Sequence, residues 1–491
     1  MSSLRLISLL ALCWLGCADV DQLDLSRPDL SIAPDMAADQ PPALDLSSAP
    51  DLPPDMAPDM TPGEDLGAPD MPDAAPDMPP DMQPTYNGPA RYPATAASSP
   101  ATARTFARWA EIRDGGPASA DERVFIKVGA SGTVNTRLLT CFEPGSSFGY
   151  ALEGRDALQQ AIDHFRQARV AGGTTSFARV TLAAEVGRTA RWAVTGSPSP
   201  LDRELAALKP RYAFVNYGTN DMGGGATFES ALWSFWTHMN TLLDALEAQG
   251  VIPIITGLNP RGDNAEAARW VPIYDAMTRG LAEQRQLPYL SLYLSTKDMP
   301  AGGLLGDGLH GNAWSDGSRA RPCHFNTEAL NYNYNLRNLE SLTMLDRVWR
   351  ALSGVGRPDV QTSGWLGVGT SDDPIIVDSL PFTHHGTTRG AERLIDGYPS
   401  CDGGQDEGGG EIYYKLVLDR PTTVRLMTFD READVDLHLL DMSGDPMGCV
   451  ERDDRTIERL LPAGEHVIVV DSFVSGGEAR EGEFLFVAAA R

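Results

Sequence analysis

The sequence has little that would support binding to nucleic acids or passage through a membrane. Its formal net charge is −27 over 491 residues. No basic stripe is present that would attract a phosphate backbone, so we expect no nucleic-acid partner. The apolar run from Leu6 to Leu15 is shorter than the roughly 20 residues that span a bilayer. No later segment is longer, and we therefore expect no transmembrane helix.

Short motifs of metal and nucleotide chemistry are also missing. The chain has no HExxH, P-loop or EF-hand pattern, and its cysteines lack the close CxxC pairing of a zinc site. The adjacent His384 and His385 have no further ligands at metal spacing and are predicted to lie in a loop. A Gly-x-Ser-x-Gly elbow is absent too, because the glycine after Ser131 comes one residue too early. The sequence predicts no metal and no cofactor.

The first seventeen residues have the pattern of an export signal, with one early Arg and a short apolar run. Their end, Leu15-Gly16-Cys17, resembles a bacterial lipobox, which implies a diacylated Cys17 as the mature N-terminus. An ordinary signal peptide with an incidental cysteine is the alternative. Ala18 is not the Asp that retains lipoproteins at an inner membrane. We expect an exported lipoprotein of the outer membrane or cell surface, or alternatively a secreted protein.

Residues 18–97 are predicted to be a disordered linker. From Ala18 to Pro84 the chain repeats Pro-Asp-Met and Pro-Asp-Leu, with sixteen acidic residues, one Arg and no aromatic residue. Such a segment cannot bury enough apolar surface to offset the entropy lost on ordering. Its predicted role is to hold the folded part away from a membrane.

Residues 98–354 are predicted to form an α/β domain. Ser99-Pro100 predicts an N-cap and first residue of a helix. Short apolar runs at 124–131, 212–218, 251–257 and 289–295 predict strands, and helical patterns occur at 155–169, 228–249, 264–286 and 326–352. This alternation indicates a parallel sheet covered by helices on both faces. Ligands of such sheets bind outside the carboxyl ends of the strands.

Residues 355–491 lack helical periodicity and are predicted to form an antiparallel β-sandwich. Runs such as IYYKLVL, DVDLHLL and EHVIVVDSF alternate with turns rich in Gly, Asp and Pro. These runs resemble the bacterial pre-peptidase C-terminal module. Asp434 and Asp436 are expected to share one face of a strand and to be solvated or turn-anchoring rather than calcium ligands.

Three loops that follow strands hold the residues suited to catalysis. Ser131 ends the first strand in Gly-Ala-Ser-Gly-Thr, Asn220 follows the second in Gly-Thr-Asn-Asp, and Asp307 and His310 form Asp-Gly-Leu-His. A serine hydroxyl becomes an effective nucleophile when a base removes its proton. A histidine does this best when a carboxylate holds it in one tautomer. The tetrahedral oxyanion that follows requires preorganised hydrogen-bond donors.

Together these residues resemble the SGNH (GDSL-type) hydrolase family over about residues 120–350. The resemblance implies a flavodoxin-like three-layer α/β/α fold and hydrolysis of esters, such as acetylated surface polysaccharides, through an acyl-enzyme. Ser131 would be the nucleophile, His310 the general base and Asp307 its partner. The oxyanion donors would be the backbone N–H groups of Ser131 and Gly187 and the side-chain amide of Asn220.

One departure from the family pattern keeps other interpretations open. Ala130 stands where the family usually has Asp, although that Asp is not the acid of the triad. Independently of Ala130, Ser131 could serve only as a cap of the following segment, and Asn220 or Asp221 only as a turn residue. His324 is a rival candidate for the base. The alternative function is a non-catalytic surface lipoprotein that binds glycan or matrix.

Four cysteines remain in the exported part of the chain, and an even number in an oxidising compartment predicts disulfides. We predict Cys141–Cys323, whose ends follow the nucleophile and base loops, and Cys401–Cys449 within the sandwich. The predicted partners are an ester substrate and, through the lipid, a membrane. We expect a monomer.

Overall fold

A computed structural model describes residues 86, 88–361, 364–402, 404–441 and 444–491. The predicted signal peptide, Cys17 and most of the predicted linker lie outside the described residues. The sequence predicts a linker over residues 18–97, but residues 88–97 pack against the folded part. Ala90 and Tyr92 are buried, and the Tyr92 hydroxyl donates to the Leu287 carbonyl at 2.7 Å. The packed chain therefore begins before residue 98.

The first part of the described chain is built from alternating strands and helices. Its strands are β1 (Asp121–Gly129), β2 (Pro210–Asn216), β3 (Ile252–Thr256) and β4 (Tyr289–Leu290). Its helices are α1 (Ala103–Gly115), α2 (Ser131–Val134), α3 (Gln159–Arg166), α4 (Ala190–Ala193), α5 (Pro200–Leu208), α6 (Phe228–Ala248), α7 (Ala265–Arg285), α8 (Leu292–Thr296) and α9 (Asn333–Leu352). Short 3₁₀ turns lie at Thr140–Phe142, Asp156–Leu158, Asp221–Gly223, Pro300–Gly303 and Ala329–Asn331.

The four strands form a parallel sheet in the order β1-β2-β3-β4. On the free side of β1, Gly129 forms a parallel bridge with Ala184. This bridge stands where a flavodoxin-like sheet has its second strand, so that strand is reduced to a single pair of residues. The inner strand β3 is buried along its whole length, because helices cover both faces of the sheet. The predicted flavodoxin-like α/β class is confirmed.

Two local predictions in this part are wrong. Ser99 does not cap α1. Its backbone N–H donates to the Tyr289 carbonyl and its hydroxyl accepts from the Tyr289 N–H, and Thr102 is the cap instead. The run at 289–295 is a strand only over Tyr289–Leu290, because the Ser291 hydroxyl accepts from the Leu294 N–H and starts α8 there.

The second part of the described chain is a sandwich of two sheets, as predicted. Its strands are β5 (Ile375–Val377), β6 (Phe382–Thr387), β7 (Glu411–Leu418), β8 (Thr422–Asp430), β9 (Val435–Leu440), β10 (Cys449–Asp453), β11 (Thr456–Leu461), β12 (Gly464–Ser472), β13 (Val474–Ser475), β14 (Glu478–Ala479) and β15 (Glu483–Ala490). A short helix α10 (Pro399–Asp402) and a 3₁₀ turn at Pro446–Gly448 interrupt them. The sheets run β10-β9-β12-β7-β5 and β11-β8-β15-β6, and β13 and β14 form a separate hairpin.

The sandwich departs from the sequence prediction at its edge strands. β5 pairs with β7 in parallel rather than antiparallel, because the chain passes through β6 in the other sheet before it returns. His384 and His385 lie on β6, where they pair with Phe486 and Leu485 of β15, and not in a loop. Asp436 is also different from expectation, since it is buried on β9 rather than solvated.

The two parts pack through a shared apolar core. Met427, Phe429 and Leu485 of the sandwich belong to the same buried cluster as the α/β helices. Helix α7 lies so close to β6 and β15 that a Cβ on Gly280 would meet Leu485 Cδ1 at 2.7 Å. The predicted division at residues 354 and 355 falls between α9 and β5 and stays a prediction. None of the helices among the described residues is long and apolar enough to cross a bilayer.

Both expected cysteine pairs are joined in the structure. Cys141 and Cys323 have a Cα–Cα distance of 6.2 Å, and this bridge connects the chain after Ser131 to the chain after His310. Cys401 and Cys449 are 5.7 Å apart in the sandwich.

Candidate active site

Ser131 lies at the carboxyl end of β1, where the strand turns into α2. The turn is tight, since a Cβ on Gly129 would lie 2.1 Å from Thr133 Oγ1 and 2.6 Å from the Asn216 carbonyl oxygen. Only glycine fits there, and this brings the first turn of α2 against β2. The Ser131 hydroxyl is thereby presented at the edge of the sheet where parallel strands bind ligands.

Asp307 and His310 form a hydrogen-bonded series with Ser131 that has the geometry of a catalytic triad. His310 Nε2 lies 3.0 Å from Ser131 Oγ, and His310 Nδ1 lies 2.8 Å from Asp307 Oδ2. The other Asp307 oxygen accepts the backbone N–H groups of Leu309 and His310 at 2.9 and 3.0 Å. The His310 backbone N–H, then the imidazole, lower the pKa of Asp307 to about 2. The acid is therefore ionised and oriented toward the histidine.

The turn that carries these two residues requires a glycine between them. Gly308 has a φ of +65°, and a Cβ there would meet the Asp263 nitrogen at 2.7 Å. The Gly308 carbonyl accepts from the Gly262 N–H at 2.7 Å. The Asp-Gly-Leu-His turn is thus held against the loop that follows β3.

Asn220 also lines this cleft. Its Nδ2 donates one proton to the Arg188 carbonyl at 2.9 Å, and an amide nitrogen carries a second. Asn220 lines the same cleft as Ser131 and His310, and its oxyanion role stays a prediction. Gly187 is exposed and its neighbour Arg188, not Gly187, lines the cleft. The oxyanion role of the Gly187 N–H stays a prediction.

Asp221 supports the Asn220 loop rather than acting only as a turn residue. It is buried, and its two oxygens accept the N–H groups of Ala190 and Gly218, each at 2.9 Å. Burial raises its pKa to about 6. This carboxylate ties the loop after β2 to the start of α4. The position of Asp221 at the end of the Gly-Thr-Asn-Asp motif is the sequence feature that could have identified this role.

Two residues of α9 that the sequence did not single out hold the nucleophile turn. The Gly132 carbonyl accepts from the Tyr334 hydroxyl at 3.2 Å and from Arg337 Nη1 at 3.4 Å. Arg337 Nη2 also donates to Asn216 Oδ1 at 3.1 Å. Both side chains are buried. The turn at Ala130 is therefore supported from α9, without a carboxylate at position 130. No local motif connects residues 200 positions apart, so the sequence held no signal for them.

The cleft around Ser131 is small and mainly polar, with a cavity volume of about 30 Å³. Its walls are formed by Ala130, Ser131, Gly132, Arg188, Asn216, Tyr217, Gly218, Thr219, Asn220, Asn259, Leu309, His310 and Gly311. Larger hollows of about 510 and 520 Å³ occur elsewhere, and neither is lined by a histidine. His324, the rival base, lies outside the cleft and packs beside Trp314.

The fold and this hydrogen-bonded series have the geometry of a serine hydrolase. The chain matches the GDSL-like Lipase/Acylhydrolase family over residues 165–327. The matched stretch begins after Ser131 and includes Gly187, Asn220, Asp307 and His310. The chain therefore carries a GDSL-like lipase/acylhydrolase domain, and the protein is an ester hydrolase.

Each part of the chain is similar to solved structures of other proteins. A GDSL-like lipase from Bacteroides thetaiotaomicron is 12% identical, with a TM-score of 0.30, over 50% of this chain and 98% of that one. An acetylxylan esterase from Geobacillus stearothermophilus is 12% identical, with a TM-score of 0.30, over 48% and 98%. The pre-peptidase C-terminal domain of a collagenase from Bacillus anthracis is 10% identical, with a TM-score of 0.15, over 22% and 89%. No curated protein matches the chain.

Proposed function

We propose that the protein is a secreted, lipid-anchored serine esterase that removes short acyl groups, such as acetyl groups, from carbohydrate. The observation that carries the catalytic part is the hydrogen-bonded series from Ser131 Oγ through His310 to Asp307, with distances of 3.0 and 2.8 Å. A hydroxyl, a base and an ionised acid in this order are the parts required for nucleophilic acyl transfer.

The reaction follows from the positions of these groups. Ser131 Oγ attacks the ester carbonyl while His310 Nε2 takes the hydroxyl proton, and the negative charge moves to the carbonyl oxygen near Asn220. His310 then gives the proton to the departing alcohol, which leaves an acyl group on Ser131. Water attacks this acyl-enzyme with His310 again as base, releasing the acid and restoring the serine. Asp307 stabilises the imidazolium in both halves.

The cleft supports a short acyl group and a polar alcohol. The cavity at the serine, about 30 Å³, is small beside the roughly 300–1,000 Å³ of pockets that hold drug-sized molecules, which favours a short acyl group. Asparagines and the exposed Arg188 offer donors and acceptors to sugar hydroxyls.

The anchor is proposed from the N-terminal sequence alone. Leu15-Gly16-Cys17 follows an apolar run, and the acidic Pro-rich stretch after it would separate the enzyme from a membrane. Intact-mass analysis of protein extracted from membranes should show a mature chain that begins at a diacylated Cys17. Soluble protein cleaved at another position would refute the anchor without affecting the esterase.

A fluorophosphonate probe tests the esterase directly. It should add to Ser131 of the full-length protein, as located by mass spectrometry, and Ser131→Ala should remain unlabelled. Ser234→Ala is a matched control, because Ser234 Oγ also lies near a histidine, 3.3 Å from His238 Nδ1 on the exposed side of α6. This control should be labelled like the wild type. An unlabelled wild type, or a label elsewhere, would refute the proposal.

The size of the acyl group is tested with p-nitrophenyl esters of increasing chain length. We expect kcat/KM to be highest for acetate and to fall at least tenfold by octanoate. A preference for octanoate would contradict the short-acyl assignment, even if Ser131 is the nucleophile.

A further inference from the structure

A group of buried ionisable residues lies in the sandwich, away from the triad. Because strand side chains alternate between faces, Val435, Leu437 and Leu439 of β9 enter the core between the sheets. Asp436 and His438 therefore point to the opposite face. Asp471 of β12 lies on that face as well, directly across from Asp436 in the strand pairing. Like charges at such opposed positions destabilise a sheet unless something neutralises them.

This face is covered rather than solvated. The described residues between β6 and β7, 388–402 and 404–410, form a covering segment that packs on the sheet through Ile395 and Tyr398. The Tyr398 ring stacks on His438 with 3.5 Å between ring centroids, and its hydroxyl donates to Asp471 Oδ2. The Cys401–Cys449 disulfide joins the covering segment to β10. Glu407 reaches inward from this segment.

The ionisable atoms under the covering segment lack partners. Glu407, His438 and Asp471 have exposures of 1%, 0% and 0%. Both Glu407 oxygens, both His438 ring nitrogens and Asp471 Oδ1 have no hydrogen-bond partner within the described chain. Buried polar groups in native proteins are normally paired, so these unpaired buried atoms point to a ligand that would bind them.

These three side chains also place potential metal-ligand atoms close to one another. One ligand atom from each of Glu407, His438 and Asp471 lies within 4.8 Å of the others, and His438 Nε2 is 4.0 Å from Glu407 Oε1. Together with Asp436, the cluster contains three acidic side chains. Arg452 is the cation in contact with it, with 2.8 Å from Nη2 to Asp436 Oδ2 and 3.6 Å from Nε to Glu407 Oε1.

We propose that Glu407, His438 and Asp471 bind a zinc ion that stabilises the covering segment on the sandwich. An imidazole nitrogen combined with carboxylate oxygens is a ligand set that suits zinc, whereas calcium and magnesium prefer oxygen ligands alone. The ligands come from the covering segment, β9 and β12, so the ion would tie three elements together. The sequence predicted no metal, because these residues lack a recognisable spacing.

Metal content of the full-length protein tests this proposal. After chelation, incubation with Zn²⁺ and dialysis, the wild type should retain one zinc per chain by elemental analysis. Glu407→Gln and His438→Gln should each retain less than a tenth of that amount. Glu465→Gln is the control, since Glu465 is an exposed acid on the same strand as Asp471, and it should retain zinc like the wild type.

Thermal unfolding separates loss of metal from simple damage. Zinc should raise the Tm of the wild type and of Glu465→Gln but not that of Glu407→Gln. In chelator, Glu407→Gln should be about as stable as the wild type, because glutamine keeps the size and shape of the side chain. A wild type that retains no zinc, that retains calcium or magnesium instead, or whose Glu407→Gln variant binds zinc normally would overturn the proposal. The wild-type metal content decides the matter even if a variant fails to fold.

Discussion

Replacement of Asn220 by alanine is the sharpest test of the cleft chemistry. The side chain has two N–H groups, and one of them already donates to the Arg188 carbonyl. The variant loses the second as a donor to the oxyanion, and the loss of one such donor costs about 10²–10³ in rate, or about 2.7–4 kcal/mol. Since the oxyanion exists only in the transition state, kcat and kcat/KM should fall together while KM changes little.

The assay is steady-state hydrolysis of p-nitrophenyl acetate, with stability measured in parallel. The bond to Arg188 is at the surface, so its loss should lower the free energy of unfolding by only about 1 kcal/mol. Asn331→Ala is the control, because Asn331 Nδ2 also donates to one backbone carbonyl at an exposed site, at 3.0 Å to Thr327. It should lose similar stability and no activity. A loss of rate below about tenfold for Asn220→Ala, or a change confined to KM, would refute the oxyanion role.

Further predictions concern the triad, pH and the sandwich disulfide. Ser131→Ala and His310→Ala should each reduce kcat about equally, and the double variant should be no worse, because the two act as one unit; additive losses would contradict this. The lowered pKa of Asp307, about 2, means that ionised Asp307 stabilises the fold above the ordinary carboxyl pKa of about 4, and this contribution is lost as pH falls through about 2. The pH–rate profile should therefore show no ionisation of Asp307 between pH 4 and 9, and an inflection near pH 4 would count against it. Replacing both Cys401 and Cys449 by serine should lower the free energy of unfolding in urea by about 4 kcal/mol, and a loss below 1 kcal/mol would contradict the chain-entropy estimate.

Residues close together in the chain were the ones that sequence reasoning could interpret. Asp307 and His310 are three positions apart in one turn, and the buried strand before Ser131 indicates which end of the sheet carries the loop. The position of Asn220 after β2 follows from the same rule for parallel strands. These inferences need only local patterns and one general property of α/β sheets.

Prediction failed where local signals competed with contacts from elsewhere. Ser99 next to proline has the pattern of a helix cap, but its hydrogen bonds go to Tyr289. The run that begins at Tyr289 alternates like a strand, yet Ser291 starts a helix after two residues. At Ser99 a hydrogen bond formed only in the folded chain outweighed a local preference. At Ser291 a local helix cap, in which the Ser291 hydroxyl accepts from the Leu294 N–H, ended the strand pattern.

The order of strands and helices, the acidic linker composition and the loops that carry Ser131, Asn220, Asp307 and His310 were readable from the sequence, because periodicity and turn chemistry act over a few residues. The support of Gly132 by Tyr334 and Arg337 and the convergence of Glu407, His438 and Asp471 were decided only by the tertiary structure. These groups lie on separate elements, up to about 200 residues apart for Gly132 and Arg337. Their juxtaposition depends on how the helices and strands pack, which no pattern within one element specifies.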